Sequence, residues 1–398
     1  MKMRRIAARL GILGVLFHFG AFALAGDVPS VHDEAKATVA KLASPEFWGR
    51  GYTKDGMAKA AAYLEGEIAK IGLKPLAGAS YRQPFEFPVQ TFPGEMEVKV
   101  NGRLLVPGLD YIVSPGARGG KHKFDLVAKG ADEFVGGKNE AVSVVLKDKL
   151  TWSVARKVNA NTQIFLDRAR MPDRPTRVAY RIETKFLPNF AAANIAGYVP
   201  GTVNPERLFL FTAHYDHLGG MGDRTFFPGA NDNASGVSLI LELAKYYAAH
   251  PQPYSIGFVF FAGEEAGLIG SKYFVEHPLV PLDRIRFVMN FDLEGTGEEG
   301  ATVVNATEFP KEFGILTQLN NEGHYLVQIG SRGKAANSDH YWFTEHGVPA
   351  FFMYTMGGIK AYHDIFDKAE TLPMTKIDDV FALTLKFGQM VSEEAALH

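Results

Sequence analysis

The sequence predicts an α/β fold: a mixed, mostly parallel sheet with helices on both faces, together with a β-rich inserted domain. Three observations support this fold class. From residue 194 onward, strand and helix patterns alternate repeatedly, which is typical of α/β domains. Two strand patterns, residues 256–261 and 287–291, are apolar on both faces, as buried parallel strands are. Residues 95–180 instead show short strands between glycine-rich turns, which indicates a separate β-rich part.

The predicted elements follow in chain order. Helical periodicity covers residues 31–73 and ends at Gly72. Strands are then predicted at residues 96–100, 141–146, 163–166, 207–211, 255–261, 286–291 and 349–354. Helices are predicted at residues 238–247, 266–276, 311–321 and 375–395. We therefore predict a main domain from residues 26–90 and 190–398, and an insert from residues 91–189.

The composition is that of an ordinary globular protein. The 398 residues are 46% hydrophobic and 22% charged, and the formal net charge is -2. This length suffices for one large domain that carries a smaller insert. Because the composition shows no basic excess, we expect no nucleic-acid partner. The chain contains no cysteine, so disulfides and an acylated N-terminal cysteine are excluded.

Residues 1–25 are predicted to be a signal peptide. A positively charged segment precedes an apolar stretch at residues 10–22 and a small-residue cleavage site at residues 23–25. The alternative is an N-terminal membrane anchor, although the apolar stretch is short for a full span. No other sequence stretch is long and apolar enough to cross a bilayer. We therefore expect an exported protein, periplasmic or secreted, with no membrane association after cleavage.

Polar residues follow the predicted strands of the main domain, at the sheet edge where open α/β sheets bind ligands. Five segments each bring histidine or carboxylate side chains to this edge. They are residues 214–217, residues 231–233, Glu264 with Glu265, Asp292, and residues 362–364. Imidazole and carboxylate ligands without a thiolate favour zinc or a similar divalent ion.

The number of these side chains indicates two metal ions. Two histidines and three carboxylates exceed the three protein ligands of one catalytic zinc. They suit two ions about 3.5–4 Å apart that share one bridging carboxylate. One further glutamate would then be free to act as a general base toward a bridging water. The sequence therefore predicts a dinuclear hydrolytic site.

These segments resemble the co-catalytic dizinc aminopeptidases of metallopeptidase family twenty-eight, which are related to the glutamate carboxypeptidases. The resemblance is specific over residues 214–292 and again over residues 338–372. It implies a zinc aminopeptidase-like fold, two co-catalytic zinc ions and peptide substrates. The insert resembles a reduced protease-associated domain by its location and by residues 141–149.

The resemblance also implies a role for each matching residue. The five metal ligands would be His214, Asp232, Glu265, Asp292 and His363. Asp232 would bridge the two ions, Glu264 would be the general base, and Tyr362 would stabilise the oxyanion. Asp216 would hold the imidazole ring of His214, since metal-bound histidines need such a partner. The implied activity is release of N-terminal residues from peptides.

Three alternatives remain open. A carboxypeptidase or dipeptidase on the same scaffold would need a basic pocket for the terminal carboxylate, for which Arg224 and Arg332 are candidates. A glutaminyl cyclase would share the fold but use one zinc ion. The third alternative is a non-catalytic binding domain, since fold alone does not establish function. Such a domain would lack metal ligands or the general base. All five ligand positions and the base are filled in this sequence.

Other polar features are interpreted as structural or incidental. His217 is interpreted as a loop histidine, with a supporting position farther out around the site as the alternative. His340 is predicted to pack and hydrogen-bond at the start of a helix rather than to bind metal. Residues 295–300 match the glycine pattern of a dinucleotide-binding loop, but residues 301–304 look extended rather than helical. We therefore predict no dinucleotide cofactor.

Overall fold

The structure, a computed structural model, describes residues 28–394. The predicted signal peptide lies outside the described residues. From Val31 onward the chain forms one compact unit. Within the described residues, no helix combines the length and apolar character that a membrane span requires.

The N-terminal part of the main domain is helical, as predicted. Its elements are α1 (His32–Leu42), a 3₁₀ turn (Pro45–Arg50), α2 (Gly56–Ile71), β1 (Lys74–Pro75) and β2 (Arg82–Thr91). Gly72 ends α2 with a φ of 89°. Glycine adopts this left-handed conformation at no steric cost, which explains why the helix ends there.

Within the predicted insert, residues 96–182 form two small β-sheets. Its strands are β3 (Met96–Val100), β4 (Arg103–Leu104), β5 (Tyr111–Val113), β6 (Gly120–Asp125), β7 (Val127–Ala128), β8 (Glu133–Gly136), β9 (Val142–Lys147), β10 (Thr162–Asp167) and β11 (Arg177–Ile182). One sheet has the order β5-β10-β9-β8-β7, and the other has the order β4-β3-β11-β6. The three strands predicted in this region correspond to β3, β9 and β10.

The chain leaves and re-enters the main sheet at neighbouring positions. Strand β12 (Lys185–Val199) runs antiparallel to β2, and Lys185 lies opposite Thr91 at the end of this pairing. The hydrophobic core of the insert also continues into the main domain, through Leu218, Met221 and Phe227. The insert is therefore both connected to the main domain by paired strands and packed against it.

The main sheet has nine strands. After β12 come β13 (Asn204–His214), a small hairpin of β14 (Gly220–Met221) and β15 (Thr225–Phe226), β16 (Tyr254–Phe261), β17 (Ile285–Phe291), β18 (Gly300–Val304), β19 (Ile329–Arg332) and β20 (Ala350–Met356). The sheet order is β1-β12-β16-β13-β17-β20-β18-β19, and β2 also pairs with β12. The central strands β16, β13, β17 and β20 are parallel, whereas β12 and β18 run antiparallel to their central neighbours.

Helices cover both faces of this sheet, which confirms the predicted α/β fold class. They are α3 (Gly236–Ala249), α4 (Ile269–Glu276), α5 (Pro310–Gly323), α6 (His340–Glu345) and α7 (Ile377–Glu394). Successive side chains of β13 point to opposite faces. Leu210 lies in one apolar cluster with Phe274 of α4 and Phe343 of α6. Phe211 instead stacks against Tyr247 of α3.

Candidate metal centre

The predicted site residues lie at the carboxyl ends of the central parallel strands. Strand β13 ends at His214, Glu264 follows β16, and Asp292 comes directly after β17. Asp232 lies in the turn Ala230–Ser235 that leads into α3. The structure brings all eight predicted residues to this edge: His214, Asp216, Asp232, Glu264, Glu265, Asp292, Tyr362 and His363.

A first group forms around His214. Its Nε2 atom lies 3.4 Å from Asp232 Oδ1 and 3.4 Å from Asp292 Oδ1. All three side chains are buried. Ser338 Oγ donates to the other carboxylate oxygen of Asp292 at 3.2 Å, so Oδ1 is left facing the histidine. One imidazole nitrogen and two carboxylate oxygens therefore converge on one point.

A second group forms around His363. Its Nε2 atom lies 3.1 Å from Asp232 Oδ2 and 3.3 Å from Glu265 Oε2. The other oxygen of Asp232 faces His214 in the first group. Asp232 therefore lies between the two groups and offers one carboxylate oxygen to each.

The spacing of these atoms fits a divalent ion such as zinc. In a tetrahedral zinc site with bonds of about 2.0–2.1 Å, neighbouring ligand atoms lie about 3.3 Å apart. Direct charge-assisted hydrogen bonds are shorter, about 2.7–2.9 Å. Within the described residues, two sets of three side chains could each hold a metal ion, because the ligand atoms of each set lie within 4.8 Å of one another. One set is His214, Glu264 and Asp292, and the other is His217, Asp232 and Glu265.

The electrostatics of the cluster also favour cations. Burial alone lowers the pKa of His363, but the carboxylates of Glu265 and Asp232 outweigh it and raise that pKa to about 11. Burial likewise opposes protonation of His214, whose pKa is nevertheless raised well above its ordinary value, mainly by Asp292. Without an ion, positively charged histidines would therefore balance the buried carboxylates.

His217 also lies within this cluster, so the prediction that it is only a loop histidine is wrong. It is fully buried, and its Nδ1 atom lies 2.7 Å from Glu265 Oε1 and 3.8 Å from Asp232 Oδ1. Its ring lies 5.8 Å from that of His363. The sequence feature that could have identified His217 as a site residue is its position three residues after His214, just beyond the end of β13. His340, by contrast, is buried at the start of α6, as predicted.

Glu264 and Glu265 lie in a tight turn that shortens the predicted helix. The N–H groups of Gly267 and Leu268 both donate to Glu264 O at 2.8 Å. Leu268 is left-handed, with a φ of 57°, so α4 begins only at Ile269. The Glu264 carboxylate lies 4.0 Å from His214 Nε2. Burial raises its pKa well above the ordinary value, and nearby carboxylates add to this effect while His214 opposes it.

Asp216 connects the two strand ends. Its carboxylate accepts hydrogen bonds from the N–H groups of Glu264 at 3.1 Å and Glu265 at 3.4 Å, and from the hydroxyl of Tyr52 at 3.4 Å. The ring nitrogen Nδ1 of His214 lies 3.1 Å from Asp216 O, but 3.8 Å from the Asp216 carboxylate. The main-chain carbonyl is therefore the direct partner of the imidazole, and the carboxylate fixes the glutamate turn.

The turn around Asp232 is held from two sides. Arg50 is fully buried and donates to the carbonyl oxygens of Gly229 at 2.7 Å and Asp232 at 3.0 Å. The Asp367 carboxylate accepts hydrogen bonds from the N–H groups of Asn231 at 2.8 Å and Asp232 at 3.0 Å. Arg50 was not singled out in the sequence, because main-chain acceptors from distant segments leave no local pattern.

A pocket of about 420 Å³ opens onto both groups. Its lining includes the side chains of Asp232, Glu264, Glu265, Asp292 and His363, together with apolar residues Leu268, Leu293 and Phe352. Tyr362 is 45% exposed at this pocket, and its ring stacks on that of His363 with centroids 4.0 Å apart. Arg332 also lines the pocket. Arg224 is not part of the lining and instead forms an exposed ion pair with Asp223.

The structure has an α/β fold of the zinc aminopeptidase type. The fold is similar to that of BSAP, a zinc aminopeptidase from Bacillus subtilis, with a TM-score of 0.68 and 19% identity over 91% of this chain and 95% of that one. A peptidase M28 precursor from Shewanella amazonensis SB2B gives a TM-score of 0.66 and 14% identity, over 90% of this chain and 97% of that one. Residues 194–388 match the model of peptidase family M28. The chain therefore contains a peptidase family M28 domain, which confirms the resemblance found in the sequence.

Curated relatives match shorter segments. Aminopeptidase YwaD from Bacillus subtilis (strain 168) is 30% identical over 171 residues, which are 42% of this chain and 36% of that protein. A probable leucine aminopeptidase from Arthroderma otae is 26% identical over 213 residues, which are 50% of this chain and 58% of that protein. The chain therefore spans about a third of the first relative and just over half of the second.

Proposed function

We propose that this protein is a dizinc aminopeptidase that releases N-terminal residues from peptides. The observation that carries the proposal is the position of Asp232 between two groups of potential ligands. One oxygen faces His214 and Asp292, and the other faces His363 with Glu265 beside it. A carboxylate shared in this way suits two co-catalytic ions about 3.5–4 Å apart. Family membership supports peptide-bond hydrolysis, and the relatives named as aminopeptidases support the exopeptidase assignment.

In this proposal, His214 and Asp292 would hold one zinc ion, His363 and Glu265 would hold the other, and Asp232 would be shared between them. Bound zinc supplies an acidified water and polarises the scissile carbonyl. His217 and Asp216 would hold the glutamate ligand in place, through the side-chain and main-chain contacts described above.

The catalytic groups of the protein itself are Glu264 and Tyr362. Glu264 lies at the pocket next to His214 but does not belong to either three-atom group around Asp232. It would take the proton from the attacking water and pass it to the leaving amine. Tyr362, at the same pocket, would donate a hydrogen bond to the oxyanion of the tetrahedral intermediate.

The lining of the pocket bears on which N-terminal residue is released. The apolar walls formed by Leu268, Leu293 and Phe352 favour an apolar side chain on the residue that is released. We therefore expect leucyl substrates to be cleaved faster than glutamyl ones.

Zinc content and hydrolysis, measured side by side, test the proposal. Mass spectrometry of residues 26–398 is expected to give about two zinc ions per chain in the wild type and in Glu264→Gln. Hydrolysis of leucyl aryl-amide is expected to fall about 10²–10⁴-fold in Glu264→Gln, because the general base is lost. Glu34→Gln, an exposed change on α1, serves as the control and should keep full activity. One zinc or none in the wild type, without turnover, would favour a glutaminyl cyclase or a binding domain.

Arg332 favours a second candidate, a dipeptidase that acts on substrates with a nearby terminal carboxylate. This exposed guanidinium lines the same pocket as the metal-site residues. It could pair with the C-terminal carboxylate of a dipeptide. Comparison of leucyl dipeptides with free and amidated C-termini separates the two activities. A dipeptidase would hydrolyse only the free acid, whereas an aminopeptidase would hydrolyse both.

We also propose that the protein is exported. The support is the predicted signal peptide at residues 1–25. When the full chain is expressed in bacterial cells, N-terminal sequencing of the protein outside the inner membrane should begin at Gly26. Recovery in the cytoplasm with the N-terminus intact would contradict export.

A further inference from the structure

The insert contacts the His363 loop through the main chain of Trp152. The N–H of Trp152 donates to His363 O at 2.8 Å. The ring nitrogen Nδ1 of His363 lies 2.9 Å from Trp152 O. Because a carbonyl can only accept, this bond places a proton on Nδ1 and directs Nε2 toward Asp232 and Glu265.

The position of the Trp152 carbonyl is fixed by the core of the insert. The indole is 5% exposed, and its Nε1 donates to Val113 O at 2.8 Å. The ring also stacks on Phe227 of the main domain, with centroids 4.8 Å apart. A shift of the insert relative to the main domain would therefore move the acceptor of the His363 ring.

A second contact from the insert holds the same loop. Lys149 Nζ donates to Lys360 O at 2.6 Å and lies 3.4 Å from a carboxylate oxygen of Asp364. Asp364 in turn accepts a hydrogen bond from the N–H of Phe366 at 2.9 Å. Between these contacts His363 has a φ of 53°. A histidine with positive φ is uncommon and needs support from its surroundings.

From these contacts we infer that residues 149–152 of the insert position His363 to bind a divalent cation. The insert therefore contributes to the metal centre. This inference rests on the proposed function in one respect, the role of His363 as a ligand. Trp152 and Lys149 act through His363 and its loop, and are positioning residues. Loss of partners behind a metal-bound histidine typically weakens metal binding about 10–100-fold.

Zinc binding to purified residues 26–398 tests this inference without relying on catalysis. Competition with a chromophoric chelator is expected to show about tenfold weaker binding of one of two zinc ions in Lys149→Met. Trp152→Ala should weaken the same ion at least as much. Lys138→Met is the matched control, because Lys138 is an exposed lysine of the insert outside the 149–152 segment, and it should bind zinc as the wild type does.

The outcomes separate the inference from the proposed function. The urea midpoint of zinc-free Lys149→Met should equal that of the wild type, so that weaker binding cannot come from a less stable fold. If the wild type binds two zinc ions and Lys149→Met and Trp152→Ala both bind them within twofold of it, the inference is overturned and the proposed function stands. If the wild type binds no zinc, both are overturned.

Discussion

Arg332 is the only lysine or arginine that lines the pocket in the described part of the chain. Four of the other polar side chains in the lining are carboxylates, so this guanidinium is the lining group that can attract an anion. A substrate with a carboxylate on its first side chain could place that group there. At the scale of the single residue, Arg332 is therefore the candidate determinant of substrate charge.

Removal of this charge should shift substrate preference. In Arg332→Gln, we expect the ratio of kcat/KM for glutamyl aryl-amide to that for leucyl aryl-amide to fall about tenfold, because one charge-assisted hydrogen bond is lost. Lys334→Gln is the matched control, since Lys334 lies in the same segment and pairs with Glu345. An unchanged ratio in Arg332→Gln would show that the guanidinium does not contact the substrate side chain.

Most predicted site residues could be found from the sequence because each follows a recognisable strand. His214, Glu264 and Asp292 come within three residues of a strand end, where a parallel sheet gathers ligands. His217 and Arg50 could not be assigned in this way. His217 lies in the loop that follows His214, where no periodic pattern distinguishes a site residue from any other loop residue. Arg50 acts through carbonyl groups that any residue possesses.

At the scale of the element, the turn Ala230–Ser235 shows how main-chain groups place a side chain. Arg50 binds one carbonyl group just before this turn and one within it, and Asp367 binds two of the turn's N–H groups. Burial lowers the pKa of Arg50 to about 10, although Asp232 and other carboxylates oppose this shift. Arg50 therefore remains charged at neutral pH and fixes the backbone of the bridging carboxylate.

Replacement of Arg50 by lysine should loosen this turn. A lysine ammonium has three donors and no planar fork, so it cannot reach all the carbonyl groups that Arg50 binds. We expect Arg50→Lys to lower the free energy of unfolding by about 2 kcal/mol and to weaken zinc binding about tenfold. Urea unfolding and chelator competition measure the two effects, with the exposed Arg177→Lys as control. Lower stability with unchanged zinc affinity would limit Arg50 to a purely structural role.

The elements that the sequence did not reveal have identifiable causes. Strand β12 begins at Lys185, but Pro188 and Asn189 interrupt its strand pattern. The structure accommodates them as a register shift between Leu187 and Phe190 against β2. Helix α4 begins later than predicted because Leu268 adopts a left-handed conformation. Both features depend on tertiary contacts that override local preference.

At the scale of the whole molecule, His340 makes stability depend on pH. Its ring is buried, with a centroid 5.5 Å from that of Phe352. Burial lowers its pKa from 6.5 to about 3. Between these two values the unfolded chain binds a proton that the folded chain does not bind. Stability is therefore unaffected by His340 above about pH 6.5 and falls as the pH drops below it.

This dependence can be measured on the metal-free protein, so that loss of zinc does not contribute. Between pH 8 and pH 5, His340 should lower the free energy of unfolding by about 2 kcal/mol. His340→Gln should lack this part of the decrease, whatever its stability at pH 8. Urea unfolding of both proteins in EDTA at the two pH values gives the comparison. An equal decrease in both would contradict the assignment to His340.

The edge strands of the main sheet influence whether copies of this protein can pair through their strands at high concentration. Among the described strands, β2 pairs only with β12, and it contains Pro84 and Pro88. An unpaired strand edge can recruit a strand from another chain, and proline interrupts such pairing because it has no N–H to donate. The insert occupies part of this edge, where Gln90 N donates to Ala155 O at 2.8 Å. The opposite edge, β19, has four residues. Within the described residues, neither edge presents a long uninterrupted strand, so we expect little strand addition from a second copy of the chain.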